Sequence, residues 1–337
     1  MCKRVNRLGV IVDTKYASVV ENIKSICRRL GVSIENVSID DVKDVNVDIL
    51  MVIGDDRDLL HVHQKLGKKS TPLLGVSPPG YLSFLMTSTM ESLEYDLKLL
   101  ANGRFELLEY ERLKGVIDGK FEVYALNEIA IFPKRSAMLM DYELKVNGDL
   151  LWRDRADGVI VATPTGSTAY ALSAGGPMIL ETAKVFEVVP VNSIDPSRRP
   201  LILPFTSNVD VTVIACRVSC EVVADGQTRV KILKNVRVSK AETPAYIVKL
   251  SKGISIKDSM EKKIIQAKEL MEIPPSAKYI LKILELEGPL TVKEIANITL
   301  LPQRTIRHAL SILSEKGLVR RRVNLRDARQ AYYEPTF

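Results

Sequence analysis

Long apolar segments, C-x-x-C cysteine pairs and low-complexity tracts are missing from this 337-residue sequence. No apolar run approaches the roughly 18 residues of a membrane-spanning helix, and the first one, residues 8–12, is too short for a signal-peptide core. We therefore expect a cytoplasmic protein with no membrane partner. With 46% hydrophobic and 26% charged residues, the chain suits two or three well-cored domains and is not expected to be disordered.

Cysteine is scarce, which argues against a zinc centre. The chain has four cysteines, and no two of them form a C-x-x-C pair. Cys216 and Cys220 lie in an apolar, β-like stretch, so buried free thiols are favoured over structural zinc, and no metal site is predicted.

Positive charge is concentrated near the C-terminal end. The formal net charge is +7, and residues 276–337 hold 11 Lys and Arg against 6 Asp and Glu, a net +5. The basic character therefore belongs to the tail.

The first part of the chain, residues 1–104, has the strand-turn-helix order of an open α/β sheet. A strand is predicted over residues 8–12 and an amphipathic helix over residues 19–30. A second buried strand, residues 48–53, opens at Gly54 into an acidic turn and a helix. Ligands of such sheets bind beyond the strand ends.

The pattern changes twice further along the chain. Residues 105–254 contain short β-branched runs between Asn-Gly, Asp-Gly and Pro turns, with Asn147-Gly148 as a strong hairpin signal, and predict a β-rich domain. Residues 255–275 are expected to form a connecting helix that a proline pair ends.

The tail, residues 276–337, predicts a compact domain of three helices and two strands. Thr291 is placed to cap the second helix, and Pro302 suits the start of the third. The predicted helices cover residues 277–287, 292–298 and 303–316, and the predicted strands cover residues 318–323 and 330–333.

The segment from Asp157 to Pro177 is rich in threonine, serine and glycine, which have little use as plain core. Short hydroxyls can bind a polar ligand, and glycines let the backbone approach it closely. The combination favours a polar, planar ligand.

This segment closely resembles the signature of the NAD kinase family, and Asn127-Glu128 and Asp225-Gly226-Gln227 match two shorter family motifs. The resemblance implies an α/β N-terminal domain plus a β-rich domain, with NAD or NADP as the bound ligand. The residues that would bind this ligand are Asn127, Glu128, Asp157, Thr163, Thr165, Ser167, Thr168, Ala169, Tyr170, Ser173 and Asp225.

The resemblance also implies roles within that set. Residues 168–170 and Ser173 would meet the adenosine end, and the Asn127-Glu128 pair would grip a ribose or the amide. Asp157 would hold a ribose, and a neighbouring subunit could supply it.

The family's phosphate-binding turn, Gly-Gly-Asp-Gly-Thr, is altered to Gly54-Asp55-Asp56-Arg57-Asp58. Asp56 keeps the position of the general base, but two glycines and the threonine are gone. A carboxylate about 4 Å from a phosphate charge is repelled by roughly 4 kcal/mol at an intermediate dielectric, and Arg57 offsets part of this. The family's Asn and Gly in a second motif are replaced by Ser77 and Ser83. We therefore expect weak or absent phosphoryl transfer.

One alternative keeps the chemistry. Asp55, Asp56 and Asp58 could hold Mg²⁺ and support phosphoryl transfer from ATP. His61 and His63 extend the acidic cluster, but two positions apart on a helix they point to different sides.

The tail resembles a MarR-like winged helix-turn-helix, an α+β fold whose third helix enters the major groove while the wing follows the DNA backbone. The residues expected to read base edges are Gln303, Arg304, Arg307 and His308. The residues expected to bind phosphates are Arg320, Arg321, Arg322, Arg326 and Arg329. The alternative is a dimerisation module with a solvated basic face.

These observations predict a transcriptional regulator that senses NAD, NADP or a related adenine nucleotide and binds double-stranded DNA as a homodimer or homotetramer. The alternative is an active NAD kinase that uses ATP or polyphosphate and Mg²⁺. A third class, an assembly protein with a vestigial pocket, would bind neither nucleotide nor DNA.

Overall fold

Apolar strands that alternate with amphipathic helices build the N-terminal part of the chain into a mostly parallel sheet. The computed structural model describes residues 4–12, 16–78, 83–135, 138–250, 273–316, 318–323 and 331–335. The strands of the first sheet are β1 (Arg7–Val12), β2 (Ser33–Asn36), β3 (Ile49–Ile53), β4 (Leu73–Ser77), β5 (Ser88–Thr89), β6 (Glu106–Tyr110) and β19 (Ala245–Lys249).

This sheet has the strand order β2-β1-β3-β4-β19-β6, with β5 paired to β4, and only the β6–β19 pairing is antiparallel. Its helices are α1 (Ala17–Leu30), α2 (Asp56–Leu66) and α3 (Leu93–Ala101). One core joins α1 and α3 to one side of the sheet, and a second core joins α2 to the other side. Both faces are thus covered, which explains why all five residues of β3 are buried and apolar. The predicted strands and helix in this region are confirmed.

Two six-stranded antiparallel sheets form a sandwich between β6 and β19. The first has the order β11-β10-β15-β18-β7-β8 and the second β14-β13-β12-β9-β16-β17, and their inner faces share one large apolar core. The bounds are β7 (Leu113–Ile117), β8 (Phe121–Ala125), β9 (Glu128–Pro133), β10 (Met140–Val146), β11 (Asp149–Ala156), β12 (Gly158–Ala162), β13 (Val185–Val191), β14 (Leu201–Pro204), β15 (Val209–Cys216), β16 (Cys220–Ala224), β17 (Thr228–Ile232) and β18 (Asn235–Lys240).

Two local features of the sandwich follow from sequence. Asn147 and Gly148 have φ angles of 53° and 95°, so the predicted hairpin turn between β10 and β11 is confirmed. The Thr/Ser/Gly-rich segment leaves β12 as a 3₁₀ turn, Gly166–Thr168, and a short helix α4, Tyr170–Ser173.

The C-terminal domain is a winged helix-turn-helix. Its helices are α5 (Pro275–Glu287), α6 (Val292–Thr299) and α7 (Gln303–Glu315), and its strands are β20 (Leu290–Thr291), β21 (Val319–Val323) and β22 (Ala331–Pro335). The strands pair in the order β20-β22-β21 and pack with the helices around one apolar core. Thr291 caps α6 as predicted, in a reciprocal capping box with Glu294.

The expected connecting helix, up to residue 272, lies outside the described residues, as do Arg326 and Arg329. Among the helices that are described, none is long and apolar enough to cross a membrane.

Candidate functional site

The turn between β3 and α2 is closed by its own acidic side chains. The Asp55 carboxylate accepts hydrogen bonds from the backbone N–H groups of Arg57 (2.9 Å) and Asp58 (3.2 Å). In return, Asp58 accepts one from the N–H of Asp55 (2.9 Å). A methyl group added at Gly54 would lie 1.9 Å from the Asp58 carboxylate. The space and the N–H groups that an open glycine turn would offer to phosphate are therefore used within the protein.

Asp56, the expected general base, holds the following loop. Its carboxylate accepts hydrogen bonds from the N–H groups of Phe84 (2.8 Å) and Leu85 (3.0 Å) and from the Ser83 hydroxyl. Burial raises the pKa of Asp56, although these three hydrogen bonds oppose the shift. A raised pKa suits a base, but three of the roughly four acceptor positions of this carboxylate are already used by protein donors, which leaves about one for a ligand hydroxyl.

Asp225 supports the Asn127-Glu128 motif from below. The Asp225 carboxylate accepts hydrogen bonds from the N–H groups of Leu126, Asn127 and Glu128 at 2.8 to 3.1 Å. Burial raises the pKa of Asp225 to about 6, against the effect of these N–H donors. The structure thus brings both predicted motifs together, with Asp225 directed at backbone groups.

The signature segment packs on the same motif. The Thr163 hydroxyl donates to the Leu126 carbonyl at 2.6 Å, and the Thr163 N–H donates to the Asn127 carbonyl at 2.9 Å. A methyl group added at Gly166 would lie 2.1 Å from the Asn127 carbonyl oxygen, so only glycine permits this approach. The buried Ser167 hydroxyl donates to the Pro164 carbonyl and accepts from the Ile179 N–H. The side chains of Thr163 and Ser167 therefore stabilise the conformation of the segment through hydrogen bonds to the protein backbone.

Three other predicted ligand-binding side chains make no hydrogen bond within the described residues, and a fourth is an aromatic ring. Within the described part of the chain, the Asn127 amide and the Thr165 and Ser173 hydroxyls have no hydrogen-bond partner, and none of the three is fully buried. The half-buried Tyr170 ring stacks on Phe132 with a centroid distance of 5.6 Å. Because Glu128 and Ala162 are register partners, the Asn127 amide and the side chains that follow β12 lie at the same end of the sheet, and they fit the planar, polar ligand that the sequence predicts.

Asp157 lies apart from this group. Asp157 precedes β12, and Thr163 follows β12. The five strand residues between them place Asp157 and Thr163 roughly 20 Å apart. Asp157 accepts a hydrogen bond from the Asn192 amide at 2.8 Å. A single chain does not bring Asp157 to the Asn127 motif, so its predicted role in binding a ribose requires a second subunit.

Sequence reasoning missed several side chains that support the site. Gln64 on α2 donates to the Ala224 carbonyl and accepts from the Thr228 hydroxyl, which ties the first domain to the Asp225 turn. Phe132 carries the Tyr170 ring. A polar residue on an amphipathic helix and an aromatic residue in a strand carry no signal that predicts these partners.

The acidic cluster is not arranged as a metal centre. No group of three His, Cys, Asp or Glu side chains within the described ranges is placed to hold a metal ion. The aspartates of the turn face protein donors, as described above. His63 is buried while His61 is half-buried, which confirms that they point to different sides. Cys220 is a buried free thiol as predicted, whereas Cys216 is free but only half-buried, and Cys27 is a further buried free thiol.

The expected DNA-binding residues are divided between α7 and the wing, which is the hairpin formed by β21 and β22. The base-reading set lies exposed on the N-terminal half of α7: Gln303, Arg304, Arg307 and His308. Arg320, Arg321 and Arg322 are exposed on β21, where Arg320 and Arg322 both pair with Glu334 on β22.

The protein combines a mostly parallel sheet and a β-sandwich with a C-terminal winged helix-turn-helix domain. Exposed or half-buried amide and hydroxyl groups of the sandwich mark the candidate ligand site. The C-terminal domain family of ATP-NAD kinases matches residues 126–250, and the bacterial regulatory protein arsR family matches residues 274–321. The chain belongs to the NAD kinase family and carries an arsR-type helix-turn-helix, where the sequence analysis had compared the tail with MarR-like proteins.

Relatives and solved structures agree. An NAD kinase of Methanosarcina mazei is 32% identical over 254 residues, which cover 74% of this chain and 87% of the relative. One of Methanopyrus kandleri is 32% identical over 68% of this chain and 87% of its own length. The structure of an NAD kinase from Archaeoglobus fulgidus in complex with ATP matches with a TM-score of 0.66 and 30% identity, over 77% of this chain and 98% of that one. The expected fold is confirmed: the first sheet and the sandwich form an NAD kinase-like part, called the body below, and a winged helix follows it.

Proposed function

We propose that this protein is a nucleotide-responsive regulator whose NAD kinase-like body binds an adenine dinucleotide and whose winged helix binds DNA. One contrast carries the proposal. The turn at residues 54–58 is closed by its capping box, whereas Asn127, Thr165 and Ser173 remain available to a ligand. A protein with this pair of features binds the ligand and transfers phosphate poorly.

NAD or NADP is the ligand class that the family supports. The Asn127 amide and the hydroxyls of Thr165 and Ser173 suit ribose and adenine groups, and the exposed residues of α7 and β21 suit base edges and phosphates of DNA. Because one winged helix reads a short site, a homodimer or homotetramer on a palindromic site follows.

Calorimetry tests the ligand. We expect NAD or NADP to bind the full chain, and Asn127→Ala to weaken binding by about 1 to 3 kcal/mol, because a ligand-facing polar group is lost. Asn208→Ala, at an exposed turn of the sandwich, is the matched control and should leave the affinity unchanged. If no adenine dinucleotide binds at millimolar concentration, the proposal is wrong.

A second candidate function is NAD phosphorylation, with ATP and Mg²⁺ as cosubstrate and metal. The retained Asp56 and the curated NAD kinase relatives favour it. It requires that the Asp56 carboxylate, which already accepts from Ser83, Phe84 and Leu85, also accepts from the ligand hydroxyl through its remaining lone pair. NADP formation that disappears in Asp56→Asn would support this function over the regulator.

A further inference from the structure

The winged helix contacts the body of its own chain next to the dinucleotide-binding segment. The Lys282 ammonium on α5 lies 4.0 Å from the ring centre of Tyr170. The guanidinium of Arg229 on β17 pairs with the Glu287 carboxylate at the end of α5, at 3.2 Å. Helix α5 therefore makes two contacts with the sandwich, one through the positive charge of Lys282 and one through the negative charge of Glu287.

A cavity shared by the turn and the wing lies beside these two contacts. Its volume is about 300 Å³, and its wall includes Asp55, Arg57 and Asp58 of the turn and Arg320, Arg322 and Glu334 of the wing, where Glu334 pairs with both arginines. Side chains alternate along a strand, so Arg320 and Arg322 share the cavity face of β21 while Arg321 points away. The arginines expected to bind DNA phosphates thus face carboxylates of the same chain.

We propose that the winged helix docks on the nucleotide-binding face of its own chain. In this docked state the acidic turn, residues 54–58, lies across the shared cavity from Arg320 and Arg322, where DNA phosphates would otherwise bind. The two aspartates that replace a glycine and a threonine of the family motif then have a second role. DNA phosphates approaching Arg320 or Arg322 meet the charges of Asp55 and Asp58, so docking weakens DNA binding. The exposed side chains of α7 are not covered by these contacts.

The docked state also competes with the ligand, a step that rests on the proposed function. Phe132 stacks on the Tyr170 ring, and Lys282 lies over the same ring. Since a ring has two faces, a planar base that stacks on Tyr170 must displace Lys282. Dinucleotide binding therefore releases the winged helix and strengthens DNA binding, and by linkage DNA strengthens dinucleotide binding by the same factor.

Two substitutions distinguish docking from simple electrostatics, because the two predict opposite changes in DNA affinity. Arg229→Ala and Lys282→Ala each remove a positive charge, which alone would weaken DNA binding. Docking predicts the reverse: binding of a random 30-base-pair duplex by the nucleotide-free protein, measured by fluorescence anisotropy at fixed low salt, should tighten about fivefold or more. Lys231→Ala is the matched control, an exposed lysine on the same strand as Arg229 that has no ion pair with the winged helix among the described residues.

Hydrogen exchange measures docking without any ligand. Backbone amides of residues 55–60 and 319–323 should exchange faster in the Arg229→Ala, Lys282→Ala double variant than in the wild type or the Lys231→Ala control. Unchanged exchange, or DNA binding by both single variants that is no tighter than the wild type, would overturn docking. If exchange rises but NAD does not bind, docking stands and the proposed ligand response fails.

Discussion

Glu187 lies on β13 beneath the signature segment, residues 157–177, and we expect it to make the stability of this protein depend on pH. Its side chain is 0% exposed, and neither carboxylate oxygen has a hydrogen-bond partner among the residues that the structure describes. Glu187 is paired in register with Ala162, and a methyl group added at Gly176 would lie 2.7 Å from its Oε2. Burial raises the pKa of Glu187 from its ordinary value of 4.5 to about 8.

The sign follows from proton binding. The folded protein keeps the Glu187 proton up to about pH 8, whereas the unfolded chain releases it near pH 4.5. The folded state therefore binds more protons over this range, and the free energy of unfolding falls as pH rises from 4.5 to 8 and then levels off. At about 1.4 kcal/mol per pKa unit, the total loss is of order 4 to 5 kcal/mol at most.

Urea unfolding of the wild type and of Glu187→Gln between pH 5 and 9 tests this account. The variant cannot ionise at this position, so its stability should fall less steeply with pH by a few kcal/mol in total. Because Ala162 and Gly176 flank the ligand segment, NAD affinity should also fall above pH 8 in the wild type alone. Parallel pH curves for the two proteins would refute the reasoning.

Three further predictions concern the turn, the ligand segment and the DNA interface. Replacing Asp55 by Gly and Asp58 by Thr should raise NADP formation from NAD and ATP, at a cost of about 1 kcal/mol from the lost cap; an unchanged rate would show that the turn is not the obstacle. Gly166→Ala should abolish most NAD binding by calorimetry, because its methyl group overlaps the backbone of the neighbouring motif, and full affinity would contradict the packing. Arg304→Ala should cost about 1 to 3 kcal/mol on a selected DNA site and relax specificity, whereas Arg321→Ala should weaken all DNA alike, in binding titrations over a salt series.

Sequence alone predicted the features that local chemistry determines. β3 is a continuous buried run, Asn147-Gly148 forms a turn with positive φ at both residues, and Thr291 caps α6. The resemblance of the signature segment to the NAD kinase family is also confirmed, by the family match over residues 126–250.

The functions of individual polar groups were harder to predict. Thr163, Ser167 and Asp225 were expected at the ligand, and the structure shows their side chains bonded to the protein backbone. A hydroxyl or carboxylate has the same appearance in sequence whether it meets a ligand or a buried N–H group. Contacts such as Lys282 on Tyr170 depend on how domains meet, which no local pattern encodes.

The most direct test of the central claim measures NAD binding and NADP formation on the same sample of the full chain. Calorimetry would give the NAD affinity, and incubation with NAD, ATP and Mg²⁺ would give the rate, beside an active NAD kinase under the same conditions. We expect saturable NAD binding with a rate of NADP formation at least about a hundredfold below that of the active enzyme, which corresponds to a barrier increase of about 2.7 kcal/mol. A comparable rate that Asp56→Asn abolishes would contradict it and identify an active kinase.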